Sequence, residues 1–290
     1  MPFSFPDSAP DYVRDLLEDF DYVATRLHMA LIRRAEVETS FGENIRTAVK
    51  ASTMRVRSLD YARSRYIENA PAPERSDKHV PYVVAYKAAK DHVLTTIGKL
   101  RTEGRPDPTV GVFGASIVLE RLPSSFFSAH LLYRLGHKYE GHAVARLILE
   151  QIAWAYAACK FDDMEVIERI SPTHSVGLLK KLLPSVGRLY GFLSAKTHID
   201  YCSHEEFLSV VENKNYVRHA RADFREYAET ILALADAHAV VWEYSQAAYI
   251  DEFESVAPGP DAEGILLAPN RPFIKTMAEL LKHIPEPDAQ

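Results

Sequence analysis

Two polar side chains stand out within the most apolar helical stretch of the sequence. Residues 143 to 159 are almost entirely apolar, and Arg146 and Glu150 lie four residues apart within them. His142 precedes the arginine by four residues, so all three side chains are predicted to line one face of a helix. A helix that is apolar nearly all round is expected to be buried, and a buried charge is costly unless it is paired. We therefore predict an interior Arg146–Glu150 pair.

A second polar line with the same spacing follows further along the chain. Tyr190, Ser194 and His198 are each four residues apart, and apolar residues typical of a protein core surround them. Helical bundles commonly build sites from side chains on facing helices. If the two helices pack together, their polar lines form one cluster. The predicted members of this candidate site are His142, Arg146, Glu150, Tyr190, Ser194 and His198.

These residue types suit the metal-independent cleavage of RNA. That reaction requires a base for the 2′-hydroxyl, an acid for the leaving oxygen and a cation for the charged phosphorus intermediate. His198 is the candidate base or acid, because imidazole titrates near neutral pH. Glu150 would hold the tautomer of that imidazole, and Arg146 would bind the phosphate. The alternative is a polar network that fixes the register of the helices and performs no reaction.

Other chemistries find less support in the sequence. His137 and His142 are five residues apart and so face different ways on a helix, and the His-Glu-x-x-His and Glu-x-x-His motifs of helical metal sites do not occur. We therefore predict no metal and no cofactor. Ser194 is not predicted to be a nucleophile, because it lacks the Gly-x-Ser-x-Gly turn of nucleophilic serines. Cys159 is expected to pack in the core without reacting. The sequence also has no glycine-rich loop that could bind the phosphates of a nucleotide.

The two polar lines together carry a resemblance to known proteins. The pattern Arg146-x-x-x-Glu150, followed by Leu189-Tyr-Gly-Phe-Leu-Ser-x-x-x-His198, resembles a family of uncharacterised bacterial helical proteins near the HEPN-like superfamily. The resemblance covers residues 124 to 205 and implies a core of four or five bundled helices. Several HEPN members are ribonucleases or toxins in bacterial conflict and phage defence, and others are non-catalytic partners. The resemblance therefore implies an RNA-directed effector or, as the alternative, a helical interaction protein.

HEPN ribonucleases carry an arginine followed by a histidine after four to six residues. Arg169 and His174 have this spacing, but matches of this kind are expected by chance in a chain with many arginines and histidines. The pair also spans Ser171-Pro172, which is a typical start of a helix. We therefore assign these two residues no role.

The elements that position the candidate site are predicted to be helices. Glycine is scarce, at 12 of 290 residues, and apolar residues recur at helical rather than strand spacing. We predict an all-α protein with a HEPN-like helical bundle core, additional N-terminal helices and a C-terminal helical tail. The predicted regions are an N-terminal helical region at 1–80, the bundle core at 81–250 and an acidic tail at 251–290.

Local signals place the individual helices. Gly111 and Gly114 leave residues 110 to 122 ambiguous, and Ser124 or Ser125 is expected to cap the first core helix. The amphipathic helix near the C-terminus either docks on the protein's own core or binds a partner helix. The predicted helices are 8–31, 43–68, 83–102, 124–135, 139–160, 163–170, 172–183, 184–198, 214–249 and 272–284.

Composition limits the class of protein and the cellular compartment that we expect. A chain that is 47% hydrophobic and 26% charged is typical of a globular protein and unlike a disordered or collagen-like one. Two cysteines, Cys159 and Cys202, are too few for a disulfide scaffold, so we expect a reduced, cytoplasmic protein. The N-terminus lacks the layout of a signal peptide and no run of apolar residues is long enough for a membrane helix, so we expect no membrane association.

Charge suggests where partners would bind. The net charge of −6 disfavours a protein that grips nucleic acid over its whole surface. The second predicted helix is nevertheless basic, and its charges form either a solvated face or a docking patch for RNA. Those residues are Arg46, Lys50, Arg55, Arg57, Arg63 and Arg65. We also expect a homo-oligomer or a protein partner. An enzyme requires the polar cluster to open to solvent, whereas a purely structural cluster is expected to be sealed.

Overall fold

Helices dominate the structure, which confirms a mostly helical protein. The computed structural model divides the chain into two compact units, Met1–Asp77 and Lys78–Gln290. The residues it describes are 20–25, 28–68, 77–101, 106–198, 205–206, 208–211, 214–217, 221–259 and 264–286.

The N-terminal unit begins, in its described part, with a β-hairpin. Strands β1 (Phe20–Thr25) and β2 (His28–Arg33) pair antiparallel, with Phe20 opposite Arg33. The predicted helix at 8–31 is therefore wrong from residue 20 onward, and its first part lies outside the described residues. Strand β1 is rich in aromatic and β-branched residues, whose preference for strands competes with the helical spacing of the apolar positions.

The basic helix predicted at 43–68 is broken in the structure. Helix α1 (Ser40–Met54) ends where Arg55 adopts a left-handed backbone with φ of 53°, and α2 (Leu59–Arg63) continues into a single π turn at Ser64–Glu68. The predicted basic residues consequently do not share one helical face. Arg46 donates to the carbonyl of Val37, and Arg63 pairs with Glu43 at 3.1 Å, so both serve contacts inside this unit.

The C-terminal unit contains a bundle around one hydrophobic core. Its described helices are α3 Val80–Ile97, α4 Val110–Arg134, α5 Lys138–Ala158, α6 Met164–Glu168, α7 Pro172–Leu182, α8 Ser185–Thr197, α9 Phe224–Ser245 and α10 Pro272–Lys282. Helices α4 and α5 are joined by a short turn and pack along their lengths, α7 and α8 lie against α5, and α9 packs against α3, α4 and α5. The short turn requires a left-handed backbone conformation, which Gly136 adopts with a φ of 79°.

Helix α4 starts earlier than the sequence predicts. The expected cap at Ser124 or Ser125 is wrong, because the Thr109 hydroxyl accepts the N–H of Val112 and α4 then runs through Pro123 without a break. Among the described helices, α4 alone is long and apolar enough to cross a membrane by length and composition. The core helices of soluble proteins also pass that test.

A buried histidine explains how α4 tolerates its proline. Pro123 has no N–H, so the carbonyl of Leu119, four residues earlier, loses its helical donor. His238 of α9 is fully buried, and its Nε2 lies 3.0 Å from that carbonyl oxygen. Burial lowers the pKa of His238 to about 4. The neutral imidazole therefore carries its proton on Nε2 and replaces the missing backbone donor.

Local signals correctly predict α5 to α8. The Ser171 hydroxyl accepts the N–H of His174, and Pro172 occupies the first turn of α7 as expected. The long helix predicted at 214–249 is wrong at its start, because the described residues there form a hairpin of β3 (Leu208–Val211) and β4 (Lys214–Val217). Valines in both strands favour this extended backbone.

The C-terminal segment folds back on the core. It forms a hairpin of β5 (Val256–Pro258) and β6 (Ile265–Leu267), and α10 then packs on α3 and α9 with Phe273 buried. The amphipathic helix thus docks on its own core, which was one of its two predicted roles. The fully buried Glu243 accepts three backbone N–H groups, from Glu254, Ser255 and Val256. It also pairs with Lys99 at 3.2 Å.

Candidate functional site

The guanidinium of Arg146 is the centre of a polar cluster between α5 and α8. Its Nε donates to Glu150 Oε1 at 3.0 Å, and its Nη2 donates to the Tyr190 hydroxyl at 3.1 Å. Its Nη1 lies 3.1 Å from Thr197 Oγ1 and 2.7 Å from His198 Nε2. The Tyr190 hydroxyl in turn donates to Glu150 Oε1 at 3.1 Å. We call these five residues the Arg146 cluster. The structure brings four of the predicted site residues together and adds Thr197.

The hydrogen bond from Arg146 assigns the acceptor nitrogen of the exposed imidazole. A guanidinium can only donate, so His198 Nε2 accepts and the proton of the neutral ring lies on Nδ1. Partial burial works to lower the pKa of Arg146, but hydrogen bonds to Tyr190 and Glu150 outweigh it and raise that pKa. The cluster therefore holds one permanent cation against one carboxylate, with an imidazole at its outer edge whose Nε2 accepts from the cation.

The Arg146 cluster is open to water, which corrects the prediction of an interior pair. The side chains of Arg146 and Glu150 are 21% and 18% exposed, and His198 is exposed. Although most of α5 is buried, α8 only partly covers the face that carries these residues. Both charges thus keep some of their hydration, and the cost of burying them is not incurred in full. Solvent access is the property that separates a site for chemistry from a sealed structural network.

Two of the predicted site residues do not join the cluster. His142 is fully buried, with Nδ1 at 2.9 Å from the Tyr133 hydroxyl and Nε2 at 2.8 Å from Glu226 Oε1. The His142 ring packs against Phe192 of α8, but both its nitrogens point to partners on α4 and α9, so the predicted polar line divides between two neighbourhoods. The buried Ser194 Oγ has no hydrogen-bond partner among the described residues.

His142 borders a second polar network that the sequence analysis missed. The Lys138 side chain is 2% exposed, and its Nζ lies 2.8 Å from Glu226, 3.2 Å from Glu206 and 3.3 Å from Asp223. Lys196 also pairs with Glu206, and Arg221 lies within 4.0 Å of Asp223. We call these six residues, three cations and three carboxylates, the Lys138 network. Only the spacing of four between Lys138 and His142 hinted at it, because the carboxylates come from distant parts of the chain.

Opposite charges in the Lys138 network stabilise one another's ionised forms, as the shifted pKa values show. Burial acts to raise the pKa of Glu206, but Lys196 and Lys138 outweigh it and lower that pKa to about 2. Burial likewise acts on Glu226, and the hydrogen bond from His142 together with the charge of Lys138 lowers its pKa. Desolvation opposes the charge of Lys138, but the neighbouring carboxylates, Glu226 foremost, raise its pKa. Glu206, Glu226 and Lys138 are therefore charged at neutral pH, and the network holds the first turns of α5 and α9 together.

Metal ligation has no geometric support in the part of the chain that the structure describes. No three histidine, cysteine, aspartate or glutamate side chains there are placed to hold an ion. The chain matches no family model, no curated protein and no solved structure. The chemistry of the Arg146 cluster must therefore be inferred from its own geometry.

Proposed function

We propose that the protein is a metal-independent ribonuclease of HEPN-like type and that the Arg146 cluster is its active site. The observation that carries the proposal is the contact between the Arg146 guanidinium and the exposed His198 imidazole, 2.7 Å apart at an edge open to solvent. A fixed cation beside an imidazole supplies both the phosphate ligand and the proton carrier that RNA cleavage requires. A role as a toxin-like effector in bacterial defence rests on the resemblance alone.

The reaction is an attack of the 2′-oxygen on the neighbouring phosphorus. The bond from phosphorus to the 5′-oxygen breaks, and the products are a 2′,3′-cyclic phosphate and a 5′-hydroxyl. A bound phosphate takes the Nη1 donors of Arg146, which frees His198 Nε2 to accept the 2′-hydroxyl proton. Water protonates the leaving 5′-oxygen on the opposite side of phosphorus, and the imidazolium returns its Nε2 proton to the resulting hydroxide, so the ring ends neutral. Glu150 and Tyr190 hold the guanidinium in place while it stabilises the charged phosphorus intermediate.

RNA would reach the protein through the exposed arginines of the N-terminal unit. Arg55, Arg57 and Arg65 are exposed, which fits a docking role for the part of the basic patch that makes few internal contacts. Binding through these residues would weaken with salt, because phosphate contacts release counterions. The proposal therefore includes a salt-dependent RNA affinity that is lost when all three are replaced by glutamine.

A single histidine variant tests the proposal. The full chain is incubated with a fluorescent single-stranded RNA in the presence of EDTA, and the products are resolved and their termini identified. We expect cleavage with cyclic phosphate ends in the parent and none in His198→Ala. His174→Ala is the matched control, because His174 is also an exposed histidine and lies on α7 outside the cluster. An inactive parent, or an active His198→Ala protein, would contradict the proposal.

A second candidate function, a helical interaction protein with a structural cluster, is favoured by one observation. All three guanidinium nitrogens of Arg146 already have partners, so phosphate must displace existing hydrogen bonds. In that case Arg146→Ala lowers the melting temperature, and neither the parent nor His198→Ala binds or cleaves RNA. The cleavage assay separates the two functions, because Arg146→Ala is expected to be less stable than the parent under either of them.

A further inference from the structure

The last turn of α8 is held from two directions. Lys196 forms an ion pair with Glu206, and the next residue, Thr197, accepts a hydrogen bond from Arg146 Nη1 at 3.1 Å. Successive residues of an α-helix point about 100° apart around its axis. The two contacts therefore act on different sides of the last turn, and together they restrain its rotation about the axis of α8.

The position of His198 depends on this last turn. Helix α8 ends at Thr197, and the backbone of His198 is extended, with φ of −94° and ψ of 102°. The N–H of His198 still donates to the Ser194 carbonyl at 2.9 Å, so a helical hydrogen bond joins this residue to α8. Any rotation of the last turn consequently moves the His198 ring relative to the Arg146 guanidinium.

Glu206 determines where the Lys196 ammonium lies. The carboxylate of Glu206 is also 3.2 Å from Lys138 Nζ and accepts the Tyr139 hydroxyl at 3.1 Å, and both partners belong to the first turn of α5. Burial opposes the negative charge, but Lys196 and Lys138 lower the pKa of Glu206 to about 2, so the carboxylate is charged at neutral pH. Glu206 therefore joins the last turn of α8 to the start of α5, the helix that carries Arg146.

Lys196 lies outside the Arg146 cluster. Its side chain is 15% exposed, its Nζ pairs with Glu206, and the same atom lies 5.9 Å from the centroid of the Phe192 ring. None of its contacts among the described residues reaches a member of the cluster. An effect of Lys196 on the chemistry of the cluster must therefore be transmitted through the geometry of α8.

We infer that the Lys196–Glu206 ion pair positions the His198 imidazole against the Arg146 guanidinium, so that both are positioning residues of the proposed active site. The effect of this pair on a reaction rests on the proposed function, whereas its effect on the His198 ring does not. Misplacing a catalytic group by about 1 Å can lower a rate on the order of a hundredfold. Loss of the ion pair should therefore lower kcat and leave the affinity for RNA nearly unchanged.

The first test measures steady-state cleavage of a fluorescent RNA by the full chain. Lys196→Met should lower kcat at least about tenfold and change KM by less than about twofold, whereas Lys196→Arg keeps the cation and should keep most of kcat. Glu206→Gln should also lower kcat, and the double variant should be no slower than the slower single variant, because the two residues act as a pair. Glu205→Gln is the matched control, because Glu205 is the exposed neighbour of Glu206, and it should keep the parental kcat.

The second test reads the geometry of His198 without any substrate. In the full chain with isotopically labelled histidine, the nitrogen NMR signal of His198 Nε2 is identified by its loss in His198→Ala, and it reports the hydrogen bond from Arg146. The signal should shift in Lys196→Met and Glu206→Gln and stay in place in Lys196→Arg and Glu205→Gln, with thermal melts to check that each variant is folded.

The two tests separate the inference from the proposed function. A parent that cleaves no RNA but shows these shifts would refute the proposed function and support the positioning role. A parental kcat, or an unshifted Nε2 signal, in Lys196→Met would overturn the inference. A raised KM with a parental kcat would also overturn it, and would make Lys196 a direct contact to the phosphates of RNA.

Discussion

Replacing Lys138 by methionine tests the energetic weight of the Lys138 network. Methionine keeps the length of the side chain and removes its charge, so the packing is largely conserved while Glu226 loses its closest cation. Removing one partner from a buried ion pair typically costs 3–5 kcal/mol, because a charge is left uncompensated in the interior. Lys138 is 2% exposed and approaches three carboxylates, so we expect the free energy of unfolding to fall by about 4 kcal/mol. For a unit of this size, that corresponds to a lowering of Tm by roughly 10 °C.

The pH dependence of the stability lost in Lys138→Met identifies the cause of that loss. Glu206 and Glu226 have lowered pKa values in the folded protein, so their stabilisation is complete above the ordinary carboxylate pKa and disappears as the pH falls through the folded values. Lys138→Met removes the part of this stabilisation that the lysine supplies. The gap between parent and variant should therefore be largest at neutral pH and narrow from about pH 4.5 toward pH 2.

Urea unfolding followed by tryptophan fluorescence measures this gap. Both tryptophans, Trp154 and Trp242, belong to the unit that contains the Lys138 network, so the signal reports its unfolding. Lys181→Met is the matched control, because Lys181 is exposed on α7 and its replacement should change stability by less than about 0.5 kcal/mol. A loss below 1 kcal/mol at neutral pH, or a gap that does not change with pH, would refute the reasoning.

Two further stability predictions follow from the packing of α4 and α5. His238→Phe should lower the free energy of unfolding, measured in urea, by about 1–3 kcal/mol, because it leaves the Leu119 carbonyl buried without a donor. Adding Pro123→Ala should recover part of this loss, since alanine restores a backbone N–H for that carbonyl. Additive effects of the two changes would contradict this link. Arg146→Ala should cost less than Lys138→Met, about 1–2 kcal/mol, since Glu150 keeps its Tyr190 hydrogen bond and contact with water. An equal or larger cost would show that the cluster behaves as a sealed interior.

Local chemistry accounts for the parts of the fold that the sequence predicts. Ser171 and Pro172 start α7 and Gly136 ends α4 through interactions within a few residues, so their effects are visible in the chain itself. The continuity of α4 through Pro123 depends on His238, more than a hundred residues away in the sequence. No local sequence pattern predicts that a residue so far along the chain will donate to the Leu119 carbonyl.

The candidate site likewise has a part that the sequence predicts and a part that depends on tertiary packing. The spacing of four on each of two helices brings Arg146 and Glu150 into contact with Tyr190 and His198, as predicted. The same spacing also suggested His142, which turns instead toward the start of α9. Periodicity predicts which side chains share a face, but the neighbour that covers each turn of that face is decided by tertiary packing. The degree of burial is likewise a property of the neighbour, which is why the openness of the cluster was not predicted.

The hydrogen bonds from the backbone N–H groups of residues 254–256 to Glu243 make the chain beyond α9 necessary for the stability of the C-terminal unit. Cutting the protein shortly after residue 250 would strip three amide donors from a carboxylate that water does not reach, with Lys99 as its remaining partner. A shortened chain would then keep a buried carboxylate with fewer partners, or open the end of α9 so that water can hydrate it. Any trimmed version for crystallisation or expression should therefore keep the residues through the hairpin and α10.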